Sequence, residues 1–281
     1  LLQSASHEIW SLDPATGTVS ALCSTPTGTV APYVLAASSE NIYVVVDDKV
    51  FGLLSNGTTS IGPFALGGST WTASNLSGAF AQGWLLIGER TGSAWVVHEG
   101  TNGATSVSAL SNIMNVATDG QSFAVSLSAG TSNYVHRIVP GTWVLNTAPC
   151  RSSTLPGTAL PVGVSNANVA WVDVIAITGP YYLHYTTISN GTCADSVDSL
   201  QFGAVPNGST VVGIADNDYA LVVPSIQGGA VSFELIQEPD GTPLAGTMTG
   251  QIGSSSSALN FVVGGNHAVL VSGARPVLVS F

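Results

Sequence analysis

The chain has 281 residues, is 45% hydrophobic and only 7% charged, and carries a formal charge of −11 from 16 acids and 5 bases. That composition supplies ample apolar material for a core and argues against disorder, which combines low hydrophobicity with high charge. Five scattered bases cannot build the basic face that releases phosphate counterions, which excludes nucleic acid as a partner and disfavours an anionic membrane surface.

The mean hydropathy of +0.39 does not signal membrane insertion. Apolar runs such as Ile42–Val46 and Phe261–Val263 are short and broken. A spanning helix needs about 20 apolar residues, and barrel strands about 9–11 with aromatic girdles. The chain begins at Leu1 without a targeting segment and reads as a product from which one has been removed.

From the first residue onward, one unit recurs: an apolar strand, a turn and a second strand, with nothing helical between. The predicted hairpins are Leu1–Ala5 with Glu8–Leu12, Ile42–Val46 with Val50–Leu54, and Trp84–Gly88 with Ala94–His98. They continue as Phe123–Leu127 with Tyr134–Ile138, Val169–Ile175 with Tyr181–Thr186, Ala220–Val223 with Val231–Ile236, and Ala268–Ser272 with Pro276–Phe281. A further strand precedes most hairpins: Tyr33–Ala37, Thr70–Ser74, Ile113–Thr118, Val162–Ser165, Val211–Ala215 and Leu259–Val263. A fourth follows turns such as Ser55-Asn56-Gly57 and Val139-Pro140-Gly141, whose Gly and Asn accept positive φ.

Successive first strands lie roughly 38–49 residues apart, the period of a four-stranded propeller blade. The expected fold is therefore all-β: a single β-propeller domain over residues 1–281, built of four-stranded antiparallel blades. Seven hairpins predict seven blades. The first repeat lacks its inner strand and the last its outer one, so six is the alternative, with both ends sharing a blade. The stretch from Leu1 to Val19, and above all the turn Asp13-Pro14-Ala15-Thr16-Gly17-Thr18-Val19, resembles a blade of the NHL-repeat and YVTN-type propellers. The resemblance implies the propeller and carries no catalytic residue with it.

The turns between first and second strands hold Glu40, Asp119, Asp216 and Asp218. Oxygen ligands ringing one channel mouth suit a hard cation such as Ca²⁺, although Asp is also simply a good turn former. The opposite loops hold Asp47, Asp48, Lys49, Glu89 and Arg90. Of these, Glu89 and Arg90 are candidates for ligand binding, against the plainer reading that charge solvates loop tips. His98 and His136 sit at matching positions in neighbouring repeats, which suits either a metal or structural histidines.

Of six tryptophans, Trp71 alone opens an inner strand and is the candidate for lining a groove; the others pack within strands between blades. Among Cys23, Cys150 and Cys193, a Cys150–Cys193 disulfide is sterically plausible, three buried thiols being the alternative.

These features lead to a non-catalytic recognition or scaffolding module, secreted or at a cell surface, with the periplasm as a further compartment. Its expected partner is protein, or a second copy of itself. A carbohydrate-binding propeller is one alternative, and an enzyme of the lactonase, lyase or hydrolase kind is another. No cofactor beyond Ca²⁺ is implied.

Overall fold

The computed structural model describes residues 2–3, 7–13, 15–30, 32–67, 71, 75–101, 103–129, 132–143, 145, 150–153, 162–165, 168–174, 181–189, 192–193, 198–202, 212–215, 219–227, 230–237, 248–251, 260–264, 267–272 and 275–280. Contacts divide the chain into two compact units, residues 1–129 with 138–145, and residues 130–137 with 146–281.

In the first unit, β1 (Leu2–Gln3), β2 (Glu8–Leu12) and β3 (Val19–Ser24) form a three-stranded antiparallel sheet. Strands β4 (Tyr33–Ala37), β5 (Ile42–Val46), β6 (Lys49–Leu53) and β7 (Thr59–Ala65) form a four-stranded meander. A second meander holds β8 (Leu76–Ala81), β9 (Trp84–Glu89), β10 (Ser93–His98) and β11 (Thr105–Ser111). Then β12 (Ile113–Thr118) pairs with β13 (Phe123–Ala129). First strands neighbour one another: β4 packs beside β8, and β8 beside β12.

The second unit repeats the pattern. Strand β14 (Ser132–Ile138), whose last residue belongs to the first unit, pairs with β15 (Arg151–Ser153). Strands β16 (Val162–Ser165), β17 (Asn168–Val174) and β18 (Tyr181–Ser189) are followed by β19 (Thr192–Cys193) and β20 (Asp198–Phe202), both paired to β18. A four-stranded meander contains β21 (Val212–Ala215), β22 (Tyr219–Gln227), β23 (Ala230–Gln237) and β24 (Met248–Gln251). The last sheet has three strands, β25 (Asn260–Gly264), β26 (His267–Ser272) and β27 (Arg275–Ser280). Here too first strands are neighbours, β16 beside β21 and β21 beside β25.

The inner strands of the first unit read as unbroken apolar runs because both faces of each are covered. All five residues of β5 are buried. Side chains alternate across the strand, so Tyr43 and Val45 enter one core with Leu85, Ile87, Trp95 and Val97, while Ile42, Val44 and Val46 enter another with Ile9 and Leu53. Strands β9 and β10 divide in the same way: Leu86, Ala94 and Val96 meet Ile113, Phe123 and Val125 in a third core. Two glycines set the spacing of these layers. A Cβ on Gly78 would lie 2.7 Å from Leu35 Cγ, and one on Gly88 would overlap Ile113.

Of the expected inner strand Thr70–Ser74 only Trp71 is among the described residues, and it is not in a strand; the first strand of that sheet is β8, joined to β9 by the two-residue turn Gln82-Gly83, with φ of 47° and 79°. The sequence hides β8 because Ser77 and Gly78 interrupt its apolar residues, and Gly78 is there for close packing rather than for a turn. The outer strand β15 begins at Arg151, directly after Cys150.

Candidate functional site

The predicted site residues fall into separate places. Glu40 is exposed in the turn before β5. That turn is built by Ser38, whose Oγ accepts hydrogen bonds from the amides of Glu40 at 3.2 Å and Asn41 at 2.9 Å. Asp119 is turned into its own loop, where Oδ1 accepts from the amides of Gln121 at 2.8 Å and Ser122 at 2.6 Å. Asp216 and Asp218 lie outside the described residues. Among the described residues, no group of three His, Cys, Asp or Glu side chains converges as a metal site.

On the loops of the opposite side, Glu89 Oε2 accepts from the Ser93 amide at 3.1 Å and closes the β9–β10 turn. The Arg90 amide donates to the Asn75 carbonyl at 3.1 Å. The Asp47 carboxylate receives the Thr29 amide at 2.9 Å, the Thr29 hydroxyl at 2.8 Å and the Val30 amide at 3.0 Å. The Thr29 hydroxyl, the backbone amides and nearby Lys49 hold the Asp47 carboxyl below its ordinary range.

Trp71 stands in the core, not on a groove, which corrects the expectation for it. Its backbone amide donates to the Asp47 carbonyl at 2.9 Å. Its ring, 6% exposed, packs edge-on against Trp95 at 6.0 Å between centroids. Its indole nitrogen is buried without a hydrogen-bond partner.

Two constellations emerge that the sequence reading passed over. In the first, Glu99 Oε1 accepts from the Ser38 hydroxyl, from Asn41 Nδ2 at 3.1 Å and from the Tyr43 hydroxyl at 3.2 Å. Asn41 is itself buried and accepts from the Ser60 hydroxyl. Burial together with the Glu99 charge pushes the Tyr43 phenol well above its ordinary value. This network ties the sheet of β4–β7 to that of β8–β11. Glu99 looked like loop charge because all of its partners lie far back in the chain.

The second constellation is aromatic. Trp84, at the start of β9, meets His98 edge-on at 4.4 Å and Trp143 at 5.3 Å, and Trp143 stacks on Phe123 at 6.1 Å. Phe123 is fully buried, Trp84 and Trp143 half-buried, and His98 exposed. Beside them Gln82 Nε2 donates to Gln121 Oε1 at 2.8 Å, and both amides are exposed. The signal for this cluster was the positive-φ turn Gln82-Gly83 directly before Trp84, which lifts a strand end into solvent.

In the second unit, His136 is buried, its Nδ1 has no hydrogen-bond partner, and burial pushes its pKa down to about 4. Cys150 is disulfide-bonded, Cys23 is a free thiol, and the side chain of Cys193 lies outside the described residues.

Comparison with known proteins places the architecture. No protein-family model matches the sequence, and no curated protein matches it. Solved structures do match. A chain in the crystal structure of a mitotic checkpoint complex aligns with a TM-score of 0.62 at 12% identity, over 96% of this chain and 80% of that one. The computationally designed protein Ika8 aligns with a TM-score of 0.58 at 15% identity, over 99% of this chain and 82% of that one. A putative TolB from Agrobacterium tumefaciens aligns with a TM-score of 0.53 at 10% identity, over 84% of this chain and 87% of that one. The fold is a β-propeller. At these identities the likeness extends to the fold alone. No helix among the described residues of this propeller is long and apolar enough to cross a membrane.

Proposed function

We propose that this propeller is a non-catalytic recognition and scaffolding module, working outside the cell or at its surface and associating with protein, a second copy of itself included. The observation that carries this reading is the surface of its outer strands. In β3, Val19, Ser20 and Ala21 are all exposed, and in β11, Thr105, Ser106, Ser108 and Ala109 are exposed. Neither strand holds a charged residue or a proline. Sheet edges are commonly guarded by lysine or proline, which these two strands lack, although the pairing of each with its neighbour carries a register shift. Uncharged surfaces associate more readily than charged ones.

The acids give further support, since Glu89 and Asp119 are occupied by amides of their own loops and Asp47 by the amides of Thr29 and Val30. A disulfide at Cys150 fits an oxidising compartment, and Cys193 is the partner we infer for it. The mitotic checkpoint complex, one chain of which this chain resembles in fold, is itself an assembly.

Sedimentation velocity tests the reading, with Ser20→Lys and Ser108→Lys as probes. The expected result is association of the parent, or of the parent with a co-purified partner, that either lysine weakens. A protein that stays monomeric and partnerless at every concentration overturns it.

A further inference from the structure

We propose that the aromatic cluster of Trp84, His98 and Trp143 is a binding platform for a neutral glycan. The site lies wholly within the first unit, at the end of the sheets where β8 turns into β9 and β12 into β13. Carbohydrate recognition asks for an apolar ring with uncharged hydrogen-bonding groups beside it, and both are present.

The rings are anchored from below, because Trp143 rests on the fully buried Phe123 while Trp84 is gripped between Trp143 and His98. Aromatic surface held in this way loses little conformational freedom when a ligand arrives. The hydrogen-bonding groups are the indole N–H of Trp84, the imidazole nitrogens of His98 and the two glutamine amides. The Gln82–Gln121 bond uses one Nε2 and one Oε1, leaving Gln82 Oε1 as an acceptor and Gln121 Nε2 as a donor for ligand hydroxyls. Two positive-φ glycines carry the backbone past these groups: a Cβ on Gly83 would have His98 Nε2 as its nearest neighbour at 3.8 Å, and one on Gly141 would have Trp84 Nε1 at 3.9 Å.

Charge selects the ligand class. The two acids closest along the chain are turned away, Glu99 toward Ser38, Asn41 and Tyr43, and Asp119 into its own turn. A face of indole, imidazole and amide groups has no cation to pair with a sialic acid or sulfate and no anion to hold an amine. A neutral hexose or N-acetylhexosamine presents apolar C–H faces to the rings and hydroxyls to the amides. The platform uses none of the exposed outer-strand residues invoked for protein association, so either proposal can fail without the other.

The test is an array of neutral hexose and N-acetylhexosamine oligosaccharides alongside sialylated and sulfated ones, read with the purified chain and confirmed by tryptophan fluorescence titration. The expected result is binding confined to neutral glycans, weakened about tenfold or more in Trp143→Ala and several-fold in Gln82→Ala. Gln82 is exposed, so the second variant reports binding even where the first perturbs packing. Trp71→Ala, which alters the core, is the control expected to keep the parent's specificity. No array signal from the parent, signal only from acidic glycans, or neutral-glycan binding untouched by both Trp143→Ala and Gln82→Ala overturns the proposal. Sedimentation of the same variants, unchanged from the parent, separates this outcome from loss of protein association.

Discussion

Two tryptophan pairs in the first unit end in opposite environments, and Trp71, the one expected on a groove, is in the buried pair. Trp71 and Trp95 meet edge-on inside the core between the sheets of β4–β7 and β8–β11. Trp84 and Trp143 also meet edge-on, but half-exposed at a sheet end beside His98. The difference comes from backbone anchoring. Trp71 is drawn inward by its amide bond to the Asp47 carbonyl. Trp84 follows a tight turn that brings the chain to the surface. An aromatic residue's role therefore depends less on its neighbours in sequence than on which turn delivers it.

The strongest way to break this contrast is to remove each ring. Trp71→Ala is expected to cost about 3–5 kcal/mol in urea unfolding, as for other large-to-small core changes. Trp143→Ala should cost distinctly less, since its ring is only partly buried to begin with. Equal losses would contradict the division into core and platform.

The polar network on Glu99 gives the next effect. Asn41→Ala takes one donor from the half-buried Glu99 carboxylate and removes a buried amide, and about 1–3 kcal/mol of stability is expected to go. Tyr43→Phe removes one donor and keeps the ring, so about 1 kcal/mol is expected. A neutral result for both would reduce the network to incidental contacts.

Acid sharpens the comparison further, because His136 and Asp47 respond in the same direction for different reasons. His136 is kept neutral by burial, with a folded pKa of about 4 against an ordinary value of 6.5. Between those values the unfolded chain binds the extra proton, so stability is full above about pH 6.5 and falls as pH drops toward 4. Asp47, held ionised first by the Thr29 hydroxyl and then by the Thr29 and Val30 amides, loses its contribution only as pH falls below the ordinary carboxylate range. Stability measured against pH should show the first decline in the parent and a flatter curve over that window in His136→Leu. A curve unchanged by the substitution would mean that His136 does not set it. The smallest effect is expected for Gln82→Ala, an exposed change worth less than about 0.5 kcal/mol in stability while still weakening glycan binding.

Much of the fold was legible from the chain. Strands Tyr33–Ala37, Ile113–Thr118 and Val162–Ser165 fall where their apolar alternation placed them. The Asp13 turn forms as its residues demand, with Asp13 Oδ1 accepting the Ala15 amide at 2.9 Å and Gly17 at φ 68°. The exception, β8, failed for a tertiary reason, since Gly78 yields its side chain to Leu35 of another sheet. The candidate site was far less legible. Asp119 and Glu89 look like ligands until their loop amides are seen to occupy them. Glu99 looks like surface charge until Asn41, 58 residues earlier, donates to it.

The sequence by itself determined an all-β chain of repeating hairpins, poor in charge, with turns at defined intervals. Strand periodicity and turn chemistry act over a few residues and are written locally. Only the tertiary structure decided which tryptophans are buried, which acids are occupied and where rings and amides gather. Those outcomes depend on side chains from other sheets, brought together by packing that no single repeat encodes.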